Sequence, residues 1–369
     1  MGRTPPLEIC GAHIAQEKCR IFNRVPSFWA PVYALPGRRP IAAAAFPARR
    51  RCGRFRTYDP DSRPYALSTA LQNAVEHPFA LDRSQAYLRW RERKLARYPR
   101  RIEDLIVEVR DPRNLSDSEV EEIERVCGAA NMAVYASPLA EVADKDIPRR
   151  LGARLGLARL HANPLADEDG ITSLEAAPGK AALGYIPYTN QRLLWHTDGY
   201  YNNPQQRIGA FILHCVRPAA AGGENRLLDH EIAYILLRDA DPQYVKALSA
   251  RDAMTIPANT AQGAELRPAR TGPVFSTDAG ALHMRYTART RSIEWRPDDT
   301  TRAAVQFLNR VLDADSPYAF ALRLAGGQGL VCNNVLHNRS AFTDVPAPGL
   351  GRLVYRARYS DRIAGGAAR

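Results

Sequence analysis

Leu194-Trp195-His196-Thr197-Asp198-Gly199-Tyr200-Tyr201 is the densest run of polar chemistry in a chain of 369 residues. His196 and Asp198 stand two apart. On an extended strand, residues at that spacing point to one face. Together they can offer an imidazole nitrogen and a carboxylate oxygen to a single cation. An HxD pair by itself is weak, because chance supplies such pairs, so the reading turns on a third ligand in suitable context.

His337 answers that need. It sits in Val331-Cys332-Asn333-Asn334-Val335-Leu336-His337-Asn338-Arg339, 141 residues beyond His196, at the end of an apolar strand. Two imidazoles and one carboxylate on one face leave three of six coordination positions open. That is the facial triad of non-haem Fe(II) oxygenases. The chemistry requires the vacancies, since a bidentate co-substrate and dioxygen must share the ion with the protein.

Arg352 stands fifteen residues past His337, in the run Gly351-Arg352-Leu353-Val354-Tyr355-Arg356-Ala357-Arg358. It alternates as a strand does. Arg352, Arg356 and Arg358 share one face, while Leu353, Tyr355 and Tyr359 take the other. Arginine forms bidentate pairs with carboxylates, so this row suggests an anion site. Taken alone, it reads more readily as a solvated strand face with surface ion pairs.

Around these motifs the chain is β-rich from about residue 170. Short runs at 182–188, 208–216, 225–229, 273–276, 281–286, 318–324, 329–333 and 351–359 are separated by Gly, Pro, Asn and Asp. Helices are expected at about 230–249 and 298–313. Many short strands with few helices point to a sandwich or barrel. Upstream, Ser116 and Glu119 form a capping box before Val120, Ile123, Val126 and Cys127, which predicts a helix over 117–130. A strand over 132–135 and a short helix over 147–156 follow.

Composition sets the outer limits. The chain is 45% hydrophobic and 24% charged, the balance of an ordinary globular protein. It is long enough to bury about three-quarters of its unfolded surface, so it needs no disulfide framework. Six Cys without a CxxC pair fit a reducing compartment, hence a cytoplasmic location. No apolar stretch is long enough to span a membrane, and no membrane partner is expected. The net charge of +12 invites a nucleic-acid reading, but residues 1–60 hold eleven Lys/Arg against three Asp/Glu, or +8 of it. The body is near neutral, and no nucleic-acid partner is expected.

Residues 1–60 are Pro- and Arg-rich and read as a poorly ordered extension or a mis-assigned start. Cys10, His13, Cys19 and Cys52 lack zinc-motif spacing and read as scattered thiols and an imidazole. Residues 61–130 read as a mostly helical region packing on the core, 131–362 as the catalytic domain, and 363–369 as a flexible tail.

The triad, the spaced arginines, Leu213-His214-Cys215 and Gly222-Gly223-Glu224-Asn225 together resemble the taurine dioxygenase (TauD/TfdA) family of Fe(II)/2-oxoglutarate oxygenases. The γ-butyrobetaine hydroxylase and clavaminate synthase branches are the most similar. The resemblance covers roughly residues 130–362. It implies a mixed α/β, mainly β fold, with a double-stranded β-helix (jelly-roll) core and flanking helices. It implies Fe(II) held by His196, Asp198 and His337, with 2-oxoglutarate as co-substrate and its distal carboxylate on Arg352. Asn225 stands where many relatives have a Thr assisting that carboxylate. Arg356 falls where relatives place a second Arg facing substrate or co-substrate. The reaction implied is hydroxylation of an unactivated C–H bond by dioxygen, with 2-oxoglutarate becoming succinate and CO2.

The expected substrate is a small anionic or zwitterionic metabolite. Tyr185, Tyr188, Tyr200, Tyr201 and Tyr286 could cage a cation. Arg285, Arg289 and Arg356 could grip an anion. Each tyrosine taken singly reads more readily as core or rim packing. His214 and Cys215 are expected in the core, His161 and His283 in structural roles, and His230 at the surface. Gly326-Gly327-Gln328-Gly329 reads as a hairpin turn rather than a phosphate loop. Two other classes stay open: a metal-binding jelly-roll without oxygenase activity, and a basic nucleic-acid-binding protein. A homo-oligomer is compatible with everything above.

Overall fold

The computed structural model describes residues 78–161, 169–176, 186–261, 264–345 and 349–364. The basic extension, with Cys10, His13, Cys19 and Cys52, lies outside the described residues. So does Tyr185.

Two sheets form the core. The larger has six strands in the spatial order Ile106–Glu108, Met132–Ala136, Gln328–Cys332, Ala210–Arg217, Leu353–Tyr359 and Thr172–Leu174. The smaller has four, in the order Ala319–Leu322, Asn225–Leu228, Leu336–Arg339 and Leu193–His196. Neighbours in both sheets are antiparallel, except that Ile106–Glu108 runs parallel to Met132–Ala136. This is the jelly-roll that the family resemblance implies, and it falls within the sandwich or barrel class to which the short strands pointed. The three central strands of the larger sheet are buried on both faces, as their unbroken apolar runs require.

Helices cover the outside. Ser116 caps Asp117–Ala130 by accepting from the Glu119 N–H, and the Glu119 carboxylate returns to the Ser116 N–H at 2.7 Å. The capping box therefore works as its sequence predicts. The expected helix over 230–249 is two helices, His230–Ala240 and Pro242–Leu248. Pro242 cannot donate into a continuing helix and forces Asp241 into an extended backbone, where its carboxylate caps the second helix. A further correction concerns 182–188. Its described end, Ile186–Tyr188, is a 3-10 turn closed by Thr189 N–H donating to the Ile186 carbonyl, because Pro187 cannot enter a ladder.

His230 is also corrected. It is 1% exposed, not on the surface, and its Nε2 lies 3.0 Å from the Leu282 carbonyl. The helix face it occupies packs on the Phe275–Asp278/Ala281–Met284 hairpin. His214 and Cys215 are core residues, as expected. The His214 ring stacks on Tyr135, whose hydroxyl meets Nδ1 at 2.8 Å. Gly327 takes φ +84° in a turn before Gln328–Cys332.

Candidate active site

The smaller sheet brings the two histidines together. In the antiparallel pairing of Leu336–Arg339 with Leu193–His196, His337 stands directly across from His196. Their ring centroids are 4.2 Å apart. Each ring is held the same way. His196 Nδ1 lies 2.8 Å from the Leu194 carbonyl, and His337 Nδ1 lies 3.0 Å from the Val335 carbonyl. A carbonyl can only accept, so each Nδ1 carries the hydrogen and each Nε2 keeps its lone pair. That is the state in which an imidazole binds a metal.

Asp198 lies just beyond the strand rather than on it. Its position comes from Asn334. The Asn334 side-chain oxygen accepts the Asp198 N–H at 2.7 Å, and its amide donates to the carbonyls of Asp198 at 3.0 Å and Ile208 at 2.9 Å. Asn334 itself takes φ +53°. Gly199 turns the chain away at φ +69°, where a Cβ would sit 2.6 Å from Ile208 Cγ1. One ligand atom from each of His196, Asp198 and His337 lies within 4.8 Å of the others, and all three residues are buried. Two nitrogens and one carboxylate oxygen suit a divalent transition ion. Among the described residues the buried Asp198 Oδ2 has the Arg356 Nη1 at 3.2 Å as its polar neighbour and makes no further hydrogen bond, which leaves a lone pair for an ion.

Electrostatics keep the donors ready. Burial, then the neighbouring His337, pushes His196 down to about 3. Burial also lowers His337. Burial alone would raise the Asp198 carboxyl, but Arg356 and then Arg358 outweigh it and hold it well below the usual carboxylate range. At neutral pH the cluster is therefore two free bases and one anion.

The arginine row is buried, not solvated: Arg352, Arg356 and Arg358 are 7%, 8% and 3% exposed. They do three different things. Arg356 Nη1 lies 3.2 Å from Asp198 Oδ2. Arg358 Nη1 donates to the Tyr201 hydroxyl at 3.3 Å. Arg352 lines a separate cavity with Cys215, Gly223, Asn225, Arg323 and Leu324. Asn225 there donates to the Gly223 carbonyl at 3.5 Å.

Tyr200 stands edge-on to His196 at 6.4 Å, and Tyr201 edge-on to Tyr200 at 5.1 Å. Tyr188 is fully buried beside Arg358. Tyr286 binds Asn309 at 2.8 Å, and Arg285 donates to the carbonyls of Tyr200, Met254 and Arg270, so both are occupied in holding the frame. Sequence reasoning missed Asn334 as the residue that orients Asp198. It also missed Arg339, 4% exposed, which donates to the Thr189 and Gln191 carbonyls and ties down the approach to His196. No periodicity marks either one.

A jelly-roll with a two-His, one-carboxylate cluster in its smaller sheet defines the non-haem iron dioxygenase class. The comparisons with known proteins agree. Residues 94–358 match the family described as taurine catabolism dioxygenase TauD, TfdA family. The chain belongs to that family, whose members are Fe(II)/2-oxoglutarate-dependent dioxygenases. It is 31% identical over 244 residues to a uridine-5'-phosphate dioxygenase from Amycolatopsis sp, covering 63% of this chain and 83% of the relative. A uridine-5'-phosphate dioxygenase from Streptomyces sp is 30% identical over 166 residues, 43% of this chain and 59% of the relative. Among solved structures, the non-heme iron oxygenase OrfP with Fe, succinate and (3S)-hydroxy-L-Arg superposes with a TM-score of 0.50 at 16% identity. That likeness covers 67% of this chain and 81% of OrfP and speaks for the fold.

Proposed function

We propose that His196, Asp198 and His337 hold the Fe(II) of this dioxygenase, that Arg352 with Asn225 receives the distal carboxylate of 2-oxoglutarate, and that the substrate is a nucleoside 5'-monophosphate. The observation that carries the metal assignment is the matched pair of imidazoles, each with Nδ1 tied to a carbonyl two residues back and Nε2 free. The substrate class rests on the uridine-5'-phosphate relatives together with the buried cations beside the triad. When bound, iron with 2-oxoglutarate and dioxygen supplies the oxidising chemistry that hydroxylates a C–H bond and leaves succinate and CO2.

The chain's own residues bind, orient and exclude water. Arg356 balances the Asp198 charge and fixes the carboxylate plane. Arg352 sits in a low-dielectric cavity, where a carboxylate partner gains more than it would in water. Tyr200 and Tyr201 wall the space next to His196, and the Tyr201 hydroxyl accepts from Arg358. Six Cys without a CxxC pair fit a reducing compartment, and on that ground we assign the enzyme to the cytoplasm. Among the described residues no helix is long and apolar enough to cross a membrane.

Arg352→Ala tests the co-substrate assignment. The KM for 2-oxoglutarate is expected to rise about 100-fold, from loss of a charge-assisted bidentate pair, while Fe(II) affinity stays put. An unchanged KM would move the carboxylate to Arg356 or Arg358.

A further inference from the structure

His161 carries an unmatched donor beside a buried cation, and the chemistry above uses neither. Leu160 bridges Tyr359 antiparallel, and the His161 N–H donates to the Arg358 carbonyl at 2.7 Å. His161 therefore lies across from Arg358 and shares its face of the sheet.

Asn202 fixes the imidazole tautomer. Its Nδ2 donates to the Gln206 carbonyl at 2.7 Å, which sets the orientation of the amide. The other hydrogen of that Nδ2 faces His161 Nε2 at 3.3 Å. Nε2 therefore accepts, and Nδ1 carries the hydrogen. That Nδ1 is buried and finds no acceptor. Burial and then the Arg358 charge keep the ring neutral.

Arg358 is the second half of the observation. Its guanidinium has five N–H groups, yet among the described residues its side chain makes one hydrogen bond, to the Tyr201 hydroxyl, and no ion pair. The anion whose field it feels is the Asp198 carboxylate, which already pairs with Arg356, so a ligand anion would give this buried guanidinium a partner of its own. Tyr201 leads through Tyr200 to His196, so the His161 donor and the Arg358 guanidinium stand on the tyrosine side of the triad. The 2-oxoglutarate carboxylate is assigned to the Arg352 cavity, so it does not account for them.

We propose that His161 Nδ1 and Arg358, backed by Tyr201, form the subsite that takes the phosphate of the substrate. A phosphate monoester offers three acceptor oxygens, enough for an imidazole N–H and a guanidinium fork together. This rests on the nucleotide reading above and makes His161 and Arg358 binding residues that select for the 5'-phosphate.

The test is anaerobic calorimetry of the Fe(II)/2-oxoglutarate-loaded protein with uridine-5'-phosphate and with uridine. Wild type is expected to prefer the phosphate ester strongly. Arg358→Gln should weaken its binding about 100-fold, and His161→Phe about 10-fold, with uridine binding unchanged. Should Arg358→Gln fail to fold, His161→Phe keeps the ring shape, removes only the polar donors, and decides the matter. Preference for the phosphate ester that survives in His161→Phe and in any folded Arg358 variant overturns the subsite alone. Wild type that forms succinate from 2-oxoglutarate but binds the two ligands alike overturns subsite and substrate class together, and leaves the oxygenase chemistry standing.

Discussion

Asn334 does as much for the proposed metal cluster as any ligand. It accepts one hydrogen bond and donates two, all buried, and holds a left-handed backbone that few residues tolerate. Asn334→Ala removes the three bonds and adds backbone strain. The expected loss of stability is roughly 3 kcal/mol, read from the denaturant midpoint at constant m. Fe(II) affinity should fall with it, because Asp198 loses its orientation. A stability change near zero would mean that Gly199 and the flanking strand suffice. The ligand types were readable from the sequence, since His196, Asp198 and His337 are the residues that chemistry demands. Asn334 was not, because an orienting amide has no preferred spacing to the residue it orients.

Register carries the site more than any single loop does. His196 and His337 meet because two short strands pair with those residues in line, and a one-residue slip would turn one ring to the other face. Runs such as 208–216, 225–229 and 351–359 were legible, but Leu193–His196 and Leu336–Arg339 stood outside the expected runs. His337 lies on its own short strand rather than at the end of the apolar one before it. The pairing of these two strands was hidden as well, because the partners are far apart in the chain. Burial of the arginine strand was likewise hidden. Alternation looks the same whether the polar face meets water or a second sheet.

Helix attachment follows a similar rule. Lys94, on Ser84–Arg97, reaches Asp229 and Glu231 at 2.6 Å each, with side-chain exposures of 5%, 0% and 14%. Asn131 also donates to Asp229 at 3.0 Å. Lys94→Met leaves two carboxylates without their cation and is expected to cost roughly 3–5 kcal/mol. Adding Asp229→Asn should recover part of that loss in a double-mutant cycle. Additive losses would show that the pair is not coupled.

Across the molecule, buried neutral histidines set the acid limit of the metal-free protein. Burial pushes His196 and His230 down to about 3 and His214 to about 4, from an ordinary 6.5. A depressed histidine favours folding fully above its unfolded value and loses that contribution as pH falls through 6.5 towards its folded one. Asp229 works the other way, since burial lifts it to about 6, but it is one group against these three and His283, which burial also pushes down to about 3. Stability is therefore expected to fall by roughly 1–3 kcal/mol per pH unit between pH 6 and 5, followed by urea titration at each pH. A flat profile there would mean that these rings admit water when charged.

The same charges show where composition misleads. A net charge of +12 invites a polyanion reading, yet +8 of it lies in residues 1–60, and Arg352, Arg356 and Arg358 are buried in the fold.

Anaerobic titration of Fe(II) into the 2-oxoglutarate-bound protein tests the proposed triad most directly. Wild type should bind one ion per chain. His196→Ala, Asp198→Ala and His337→Ala should each lose that binding while keeping the wild-type circular dichroism spectrum. Undiminished binding of one ion in all three folded variants would contradict the assignment.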